Sequence, residues 1–392
     1  MLIHREDEPM GTAYIIDAIR TPVGRKNGAY AGVHAVALGA VPLRALVQRT
    51  GIDPKLIEDV IYGCVTPVGE QGANIGRMAA LEAGFPIEVT GVQINRMCGS
   101  SQQAIHFAAM GVASGFQDLV IAGGVEVMSR VPMASDMFLN GEMASFPPEL
   151  AWRFSVIPQG QSAEIIAKKW EISRRDLDEY SLRSHQLAGK ATDAGLQDSE
   201  MVAVEWQGKT LIARDEGVRR DTTMEKLASL KPAFRDDGVI TAASSSQISD
   251  GAAAVLVASE AAVKKYGLKP RAKIISATVA GVDPTIMLTG VMPATRQALD
   301  KAGLSLKDID AVEINEAFAS VVLAWHRDLG ADMDKVNAYG GAIANGHPLG
   351  ASGAKLMTTM INRLERSGKR YGLQTMCIGF GQATATIIDM NV

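Results

Sequence analysis

An α/β fold made from two copies of one plan, with a long insertion in the first copy, is predicted by three observations. The chain has 392 residues, whereas a single core rarely grows beyond about 250–300, so at least two core units are expected. It holds 39 glycines and only 5% aromatic residues, the composition of closely packed α/β layers rather than of an aromatic-rich β scaffold. A helix–turn–strand phrase also occurs twice. Gly51 to Gly63 reads GIDPKLIEDVIYG, and Gly303 to Asn315 reads GLSLKDIDAVEIN. Gly51/Gly303, Lys55/Lys307, Ile57/Ile309 and Val60/Val312 coincide, each stretch following a helical pattern, Arg44–Thr50 and Arg296–Ala302.

The later elements repeat in the same order. A small-residue turn opens a helix in NRMCGSSQQAIHFAAMGVASG and again in NGHPLGASGAKLMTTMINRLERSG, and the strands DLVIAGG and LQTMCIGFG follow. Between the copies, residues of about 125 to 250 read as an insertion laid over the first half. Phe138 to Gly160, rich in Met, Pro and aromatics, is expected to be an irregular loop. Ser173-Arg174-Arg175-Asp176 is a capping-box start, opening a helix with Leu177, Tyr180, Ser184 and Leu187 near one face. Arg219 to Phe234 reads as loop, short helix and Pro stop. Strands alternating with helices predict mainly parallel sheets covered on both faces.

Composition narrows the functional classes. The 39 basic and 43 acidic side chains leave a formal charge of −4, which excludes a general nucleic-acid-binding surface while permitting a local basic pocket. Cys64, Cys98 and Cys377 are too few for a disulfide framework, there is no C-x-x-C pair, and the six histidines do not cluster, so no metal site is expected. No run of about 18 apolar residues predicts a membrane span. The beginning lacks the apolar region of a secretory signal and the end is not a Ser-Lys-Leu address, so a reducing cytoplasm is expected.

Cys98 stands just before a helical pattern beginning near Ser100, where the helix dipole and unpaired N–H groups favour a thiolate. Gly99 lets a substrate approach the backbone, and a nucleophile is favoured over a buried structural cysteine. His347 lies among Gly340, Gly341, Gly346, Gly350 and Gly353, with Pro348 fixing the chain after it. Such a turn suits a base that approaches a sulfur, or a loop histidine bonded to a carbonyl. His34, His106, His185 and His326 lack that setting and read as structural or surface residues. Cys377, at a strand end beside Gly379, is placed to shuttle a proton, although strand cysteines usually pack. Asn315, where AVEI gives way to a helix, is either a helix cap or an oxyanion-site amide.

NRMCGSSQQA, NEAFAS, GGAIANGHPLGASGAK and CIGFG, in this order, resemble the four signatures of thiolases. AIRTPVGR, AGGVEVMSRVPM and SQISDGAAA extend the resemblance over almost the whole chain. It implies a duplicated βαβαβ core in five layers (α/β/α/β/α) with an inserted loop domain. Residues 1–124 with 245–275 would form the N-terminal half, 125–244 the coenzyme-binding insertion and 276–392 the C-terminal half. It implies a homodimer or homotetramer, with a β-oxidation complex as a further partner. It also implies ping-pong thiolysis of a 3-ketoacyl-CoA. Cys98 is then the nucleophile, His347 its base and Cys377 the second proton carrier. A water held by Asn315, together with His347, then serves the enolate, and the N–H groups of Cys98 and Gly379 serve the tetrahedral intermediate. No permanent cofactor is implied; coenzyme A is a co-substrate, met by Arg219, Arg220, Thr222 and Ser246. Three positions depart from the family pattern: Ser101 and Phe380 stand where glycine is usual, and Asn345 where leucine is.

Other functions fit these residues less well. Condensing enzymes that use acyl-carrier protein pair the cysteine with two histidines, or with His and Asn, so Cys377 and the NEAF segment favour a thiolase. A non-catalytic scaffold subunit disagrees with intact Cys98, His347 and Cys377. A biosynthetic acetyl-CoA acetyltransferase remains the alternative direction, the Met-rich insertion leaning towards degradative members.

Overall fold

The computed structural model describes residues 11–392. Nine strands carry the frame: β1 (Ala13–Arg20), β2 (Asp59–Gly63), β3 (Thr90–Ile94), β4 (Leu119–Val127), β5 (Ser249–Ser259), β6 (Ala272–Gly281), β7 (Ala311–Ile314), β8 (Tyr371–Ile378) and β9 (Gln382–Asp389). They run in the order β7-β8-β9-β6-β1-β5-β4-β2-β3, with the short strand Gly24–Arg25 added beside β5. The order reads alike outward from the β6–β1 junction. Inner strands β6 and β1 are followed by β9 and β5, then β8 and β4, then β7 and β2. The duplication is therefore a property of the sheet as well as of the chain.

The repeated phrase folds twice in the same way. Helix α1 (Ala35–Thr50) ends on Gly51 at φ 68°, and its counterpart Val291–Ala302 ends on Gly303 at φ 64°. Both glycines sit in the left-handed region that closes a helix without Cβ strain. A single 3-10 turn follows each, Pro54–Leu56 and Leu306–Asp308, before β2 and β7. The second phrase gives Ser100–Ala113 before β4 and Ser352–Ser367 before β8. Numbered along the chain, the helices used below are α1, α2 (Ile75–Glu82), α3 (Ser100–Ala113), α4 (Gln159–Lys169), α5 (Arg174–Asp193), α6 (Val291–Ala302), α7 (Ala319–Leu329) and α8 (Ser352–Ser367).

Three apolar cores produce the layering. One joins α1 and α2 to one face of β1, β5, β4 and β2. A second joins α4 to α7 with β7, β8 and β9. Between them, α3 and α8 share a core with the opposite face of β1, β4 and β5. Strand β5 displays the period of two expected of a strand buried on both sides: Ala252, Ala254, Leu256 and Ala258 face one core, Ala253, Val255 and Val257 the other. The central helices meet closely at their first turns, where a side chain on Gly353 would run into the Gln102 backbone.

One expectation needs correction. Parallel pairing is confined to β2 with β3 and β4, and β7 with β8. The ladders β1–β5, β1–β6, β4–β5, β6–β9 and β8–β9 are antiparallel. Parallel strands need a crossover helix, whereas a tight turn or a long insertion returns the chain antiparallel. Gly379–Gly381 makes β8 and β9 a hairpin, and the insertion brings the chain back as β5. The segment expected to be wholly irregular also holds a small hairpin, Phe138–Leu139 with Glu142–Met143, and a helix, Pro148–Phe154. The capping box of α5 forms as read, Ser173 and Asp176 bonding each other's backbone N–H. Its buried face includes Leu177, Tyr180, Ser184 and Ala188, with Leu187 half-buried.

Candidate active site

The two repeats deliver their small-residue turns to one place. Cys98 lies just ahead of α3, after Met97, whose φ of 45° turns the chain sharply. His347 lies ahead of α8, Cys377 near the end of β8, and Asn315 directly after β7. All four are buried. The Asn315 amide Nδ2 stands 3.3 Å from His347 Nε2. The same amide acts on the Cys377 sulfur, which also feels the Cys98 sulfur, while the Gly379 N–H acts on Cys98. These side chains therefore form one chain of neighbours.

Electrostatics reverses one expectation from the sequence. Burial pushes the Cys98 thiol up to about 12, with the negative Glu126 adding to the effect; the N–H groups of Cys98 and Gly379 offset only part of it. Desolvation of the charged form outweighs the helix terminus. Burial and the neighbouring Lys355 lower the His347 imidazole to about 3. Burial, reinforced by Cys98, pushes the Cys377 thiol up as well. At neutral pH the resting site holds two thiols and one neutral imidazole. A protonated Cys377 is an acid with a proton to give, and a neutral His347 is a base able to take one.

Several residues that sequence reasoning did not single out build this site. Glu126, fully buried on β4, accepts from the N–H of Val65 (2.9 Å), Thr66 (3.1 Å) and Gly350 (2.9 Å) and from Gln71 Nε2 (2.8 Å). It thereby ties the turn after His347 to the end of β2. Lys355 donates from Nζ to the Gly346 carbonyl at 3.3 Å. Glu316 accepts from Tyr180 and Ser184 of α5, both at 2.8 Å, and from the Ile343 N–H at 3.0 Å. Through it the inserted helix is linked to the Asn315 and His347 segments. Sequence offers no sign of the Glu126 and Glu316 links, because they join residues far apart in the chain.

The departures from the family pattern find structural partners. Ser101 Oγ accepts from the Ala354 N–H at 3.0 Å, joining the first turns of α3 and α8. Asn345 Nδ2 donates to the carbonyls of Tyr339 (3.2 Å) and Gly340 (3.4 Å), closing its own turn. Phe380 sits at φ 62° in the β8–β9 turn, a conformation costing a non-glycine residue roughly 1–2 kcal/mol. Its ring meets Phe146 of the insertion edge-on at 5.2 Å, and its N–H donates to Met287 Sδ at 3.4 Å.

A separate cleft of ≈330 Å³ is lined by Arg219, Arg220, Thr222, His185, Lys190 and Asp193, among others. Three of the four expected coenzyme contacts thus share one basic-rimmed cleft. Ser246 lies elsewhere, its N–H donating to the Ala317 carbonyl at 2.9 Å beside the Asn315 segment. Arg220 is paired with Asp193 at 2.6 Å. His185 accepts the Arg219 N–H at 3.1 Å on Nδ1, so a histidine read as structural or superficial supports the cleft. Among the described residues no group of three or more His, Cys, Asp or Glu could hold a metal ion. No helix there is long and apolar enough to cross a membrane.

Comparison with known proteins agrees with this architecture. The family model described as the thiolase N-terminal domain matches residues 13–261, and that of the thiolase C-terminal domain matches residues 268–390. A steroid 3-ketoacyl-CoA thiolase of Mycobacterium tuberculosis is 51% identical over 97% of this chain and 94% of its own. A beta-ketoadipyl-CoA thiolase of Escherichia coli is 45% identical over 97% of this chain and 100% of its own. The crystal structure of the Bacillus anthracis acetyl-CoA acetyltransferase superposes with a TM-score of 0.90 at 40% identity, covering 98% of this chain and 100% of that one. The chain belongs to the thiolase family and is an enzyme of thiolytic acyl-CoA acyl transfer.

Proposed function

We propose that the enzyme works by a ping-pong mechanism through an acyl thioester on Cys98, in the degradative direction. The observation that carries this reading is the run of buried neighbours Cys98, Cys377, Asn315 and His347. His347 takes the thiol proton as the Cys98 sulfur attacks the 3-keto carbon of a 3-ketoacyl-CoA. The C2–C3 bond breaks, and the acetyl-CoA enolate takes its proton from Cys377. Coenzyme A then enters, passes its thiol proton to the Cys377/His347 pair and removes the acyl group, restoring the free thiol. Negative charge develops on two oxygens in turn. The backbone N–H groups of Cys98 and Gly379 serve the first, and Asn315 with His347 the second. Loss of one such donor costs about 3–4 kcal/mol. Asn315→Ala is therefore expected to lower kcat by roughly 10²–10³-fold and to leave residual turnover. A kcat near that of the parent in an acetoacetyl-CoA thiolysis assay removes Asn315 from the mechanism.

For the substrate we infer a bulky apolar acyl group of cyclic or branched form. Phe380, Phe146, Met287 and Met97 gather at the Gly379 turn beside the Gln159 amide, and the apolar members suit a hydrocarbon body. The relative at 51% identity is named for steroid-derived substrates. A second reading, a carboxylated acyl chain, draws on the beta-ketoadipyl-CoA relative. Comparing kcat/KM for cyclic, carboxylated and acetoacetyl thioesters decides between them. Preference for acetoacetyl-CoA in the condensing direction would instead place the enzyme among biosynthetic acetyltransferases.

We assign coenzyme A to the Arg219 cleft, with Arg219, Arg220 and Lys190 meeting its phosphates and Ser246 its pantetheine arm. Residues 125–244 then act as the coenzyme-binding insertion between halves formed by 1–124 with 245–275 and by 276–392. Arg219→Ala is expected to raise KM for coenzyme A by about 5–30-fold, the loss of one phosphate contact of about 1–2 kcal/mol, with kcat changed far less. An unchanged KM places the anchor elsewhere. We further propose a homodimer formed through the edge strand β3, whose Val92 is 40% exposed. Light scattering that finds monomers alone defeats it. A reducing cytoplasm fits three free cysteines.

A further inference from the structure

We infer that Ser352 is a positioning residue that sets which nitrogen of His347 carries the proton, keeping Nε2 bare in the resting site. The inference rests on the reading of His347 as the base. His347 Nδ1 lies 2.5 Å from Ser352 Oγ. The same hydroxyl lies 2.8 Å from the carbonyl oxygen of Pro348. A carbonyl oxygen only accepts, and a hydroxyl has one proton. Both contacts are hydrogen bonds at once in one arrangement alone: Ser352 donates to Pro348 and accepts from an Nδ1–H.

The other edge of the ring asks for the same tautomer. Asn315 Nδ2, a pure donor, faces Nε2 at 3.3 Å, so Nε2 presents its lone pair. Turning the amide over would place Oδ1 on Nε2 and require Nε2–H. Nδ1 would then be bare, and Ser352 would have to abandon Pro348 to bond it. That gives up the Ser352 bond and leaves the Pro348 carbonyl with the Ala351 N–H alone, at 3.0 Å, in the turn that carries the base. Ser352 is held where it is by the chain itself. It is the first residue of α8, only 2% exposed, and bonds the carbonyl four residues back.

The consequence is chemical. With Nδ1–H fixed, Nε2 takes the Cys98 proton, and the imidazolium then offers that N–H to the developing oxyanion. One nitrogen serves first as base and then as donor without the ring turning. With the proton on Nε2 at rest, the edge facing the substrate would hold no base.

The tautomer is read directly by long-range proton–nitrogen spectra of enzyme labelled with ¹⁵N-histidine, His347 being assigned by its loss in His347→Asn. The wild type is expected to show a protonated Nδ1 and a bare Nε2; a protonated Nε2 overturns the inference without any variant. Ser352→Ala is expected to mix the two forms and to lower kcat by roughly 10–100-fold, part of the general-base contribution. KM for coenzyme A should move less than about twofold, since no phosphate contact is lost. Ser352→Thr, which keeps the hydroxyl, should restore the tautomer and most of kcat. Full activity of Ser352→Ala, or no rescue by threonine in a folded protein, overturns the role. A fully active His347→Asn would instead remove the base reading, and the spectrum tells the two failures apart.

Discussion

Cys98→Ala abolishes thiolysis, and Cys98→Ser leaves at most a trace, if the buried sulfur is the acyl carrier. Loss of a nucleophile that acts as part of a unit costs on the order of 10⁴–10⁶ in kcat, and no neighbouring group offers a substitute. Cys64 is buried too, but its sulfur faces Glu126 at 3.8 Å, which with burial holds its proton more firmly. Cys377 is required as the acid and has no second acid beside it. Incubating wild-type enzyme with a 3-ketoacyl-CoA in the absence of coenzyme A should leave the mass of one acyl group on the peptide containing Cys98. An adduct on Cys377 exchanges the two roles. Absence of any adduct, with activity intact, replaces the two-step route by direct transfer.

Much of the fold was legible because its signals are local. Gly51 and Gly303 close their helices at positive φ, and that requirement is visible as glycine in the sequence. The turns before α3 and α8 are legible for the same reason, since a backbone meant to approach a ligand is built from small residues. What the sequence hid is what depends on distance through space. The helix end before Ser100 suggested a thiolate at Cys98, but a dipole of a fraction of a charge competes with full desolvation, and only the fold shows how deeply the sulfur lies. Glu126 lies inside AGGVEVMSRVPM, and Ser352 and Lys355 inside GGAIANGHPLGASGAK, but nothing in those strings says which partners they meet. The Gly379–Gly381 turn did contain the signal for an antiparallel hairpin, yet the alternation of strands and helices outweighed it.

The pH behaviour of the Cys98/His347 pair distinguishes a neutral resting site from a preformed ion pair. The imidazole is the working form of His347, and its protonation is displaced from the usual 6.5 to about 3. Activity carried by that form should therefore persist as pH falls through 6.5 and disappear only far below it. kcat/KM for the acylation half-reaction should stay level from about pH 8 to about pH 5, provided the enzyme remains folded; a half-loss near 6.5 would show a solvated, ordinary histidine. On the sulfur, a thiol held at about 12 exposes its thiolate in proportion to hydroxide. Alkylation of Cys98 by iodoacetamide in the empty enzyme should climb about tenfold per pH unit between about 7 and 9, without a plateau. A rate already level at pH 7 would require thiolate and imidazolium to coexist at rest, with their mutual attraction exceeding the cost of burying both charges. His347→Ala should then lower kcat by roughly 10²–10⁴-fold in either case, so it is the slope of alkylation against pH that decides when the proton moves.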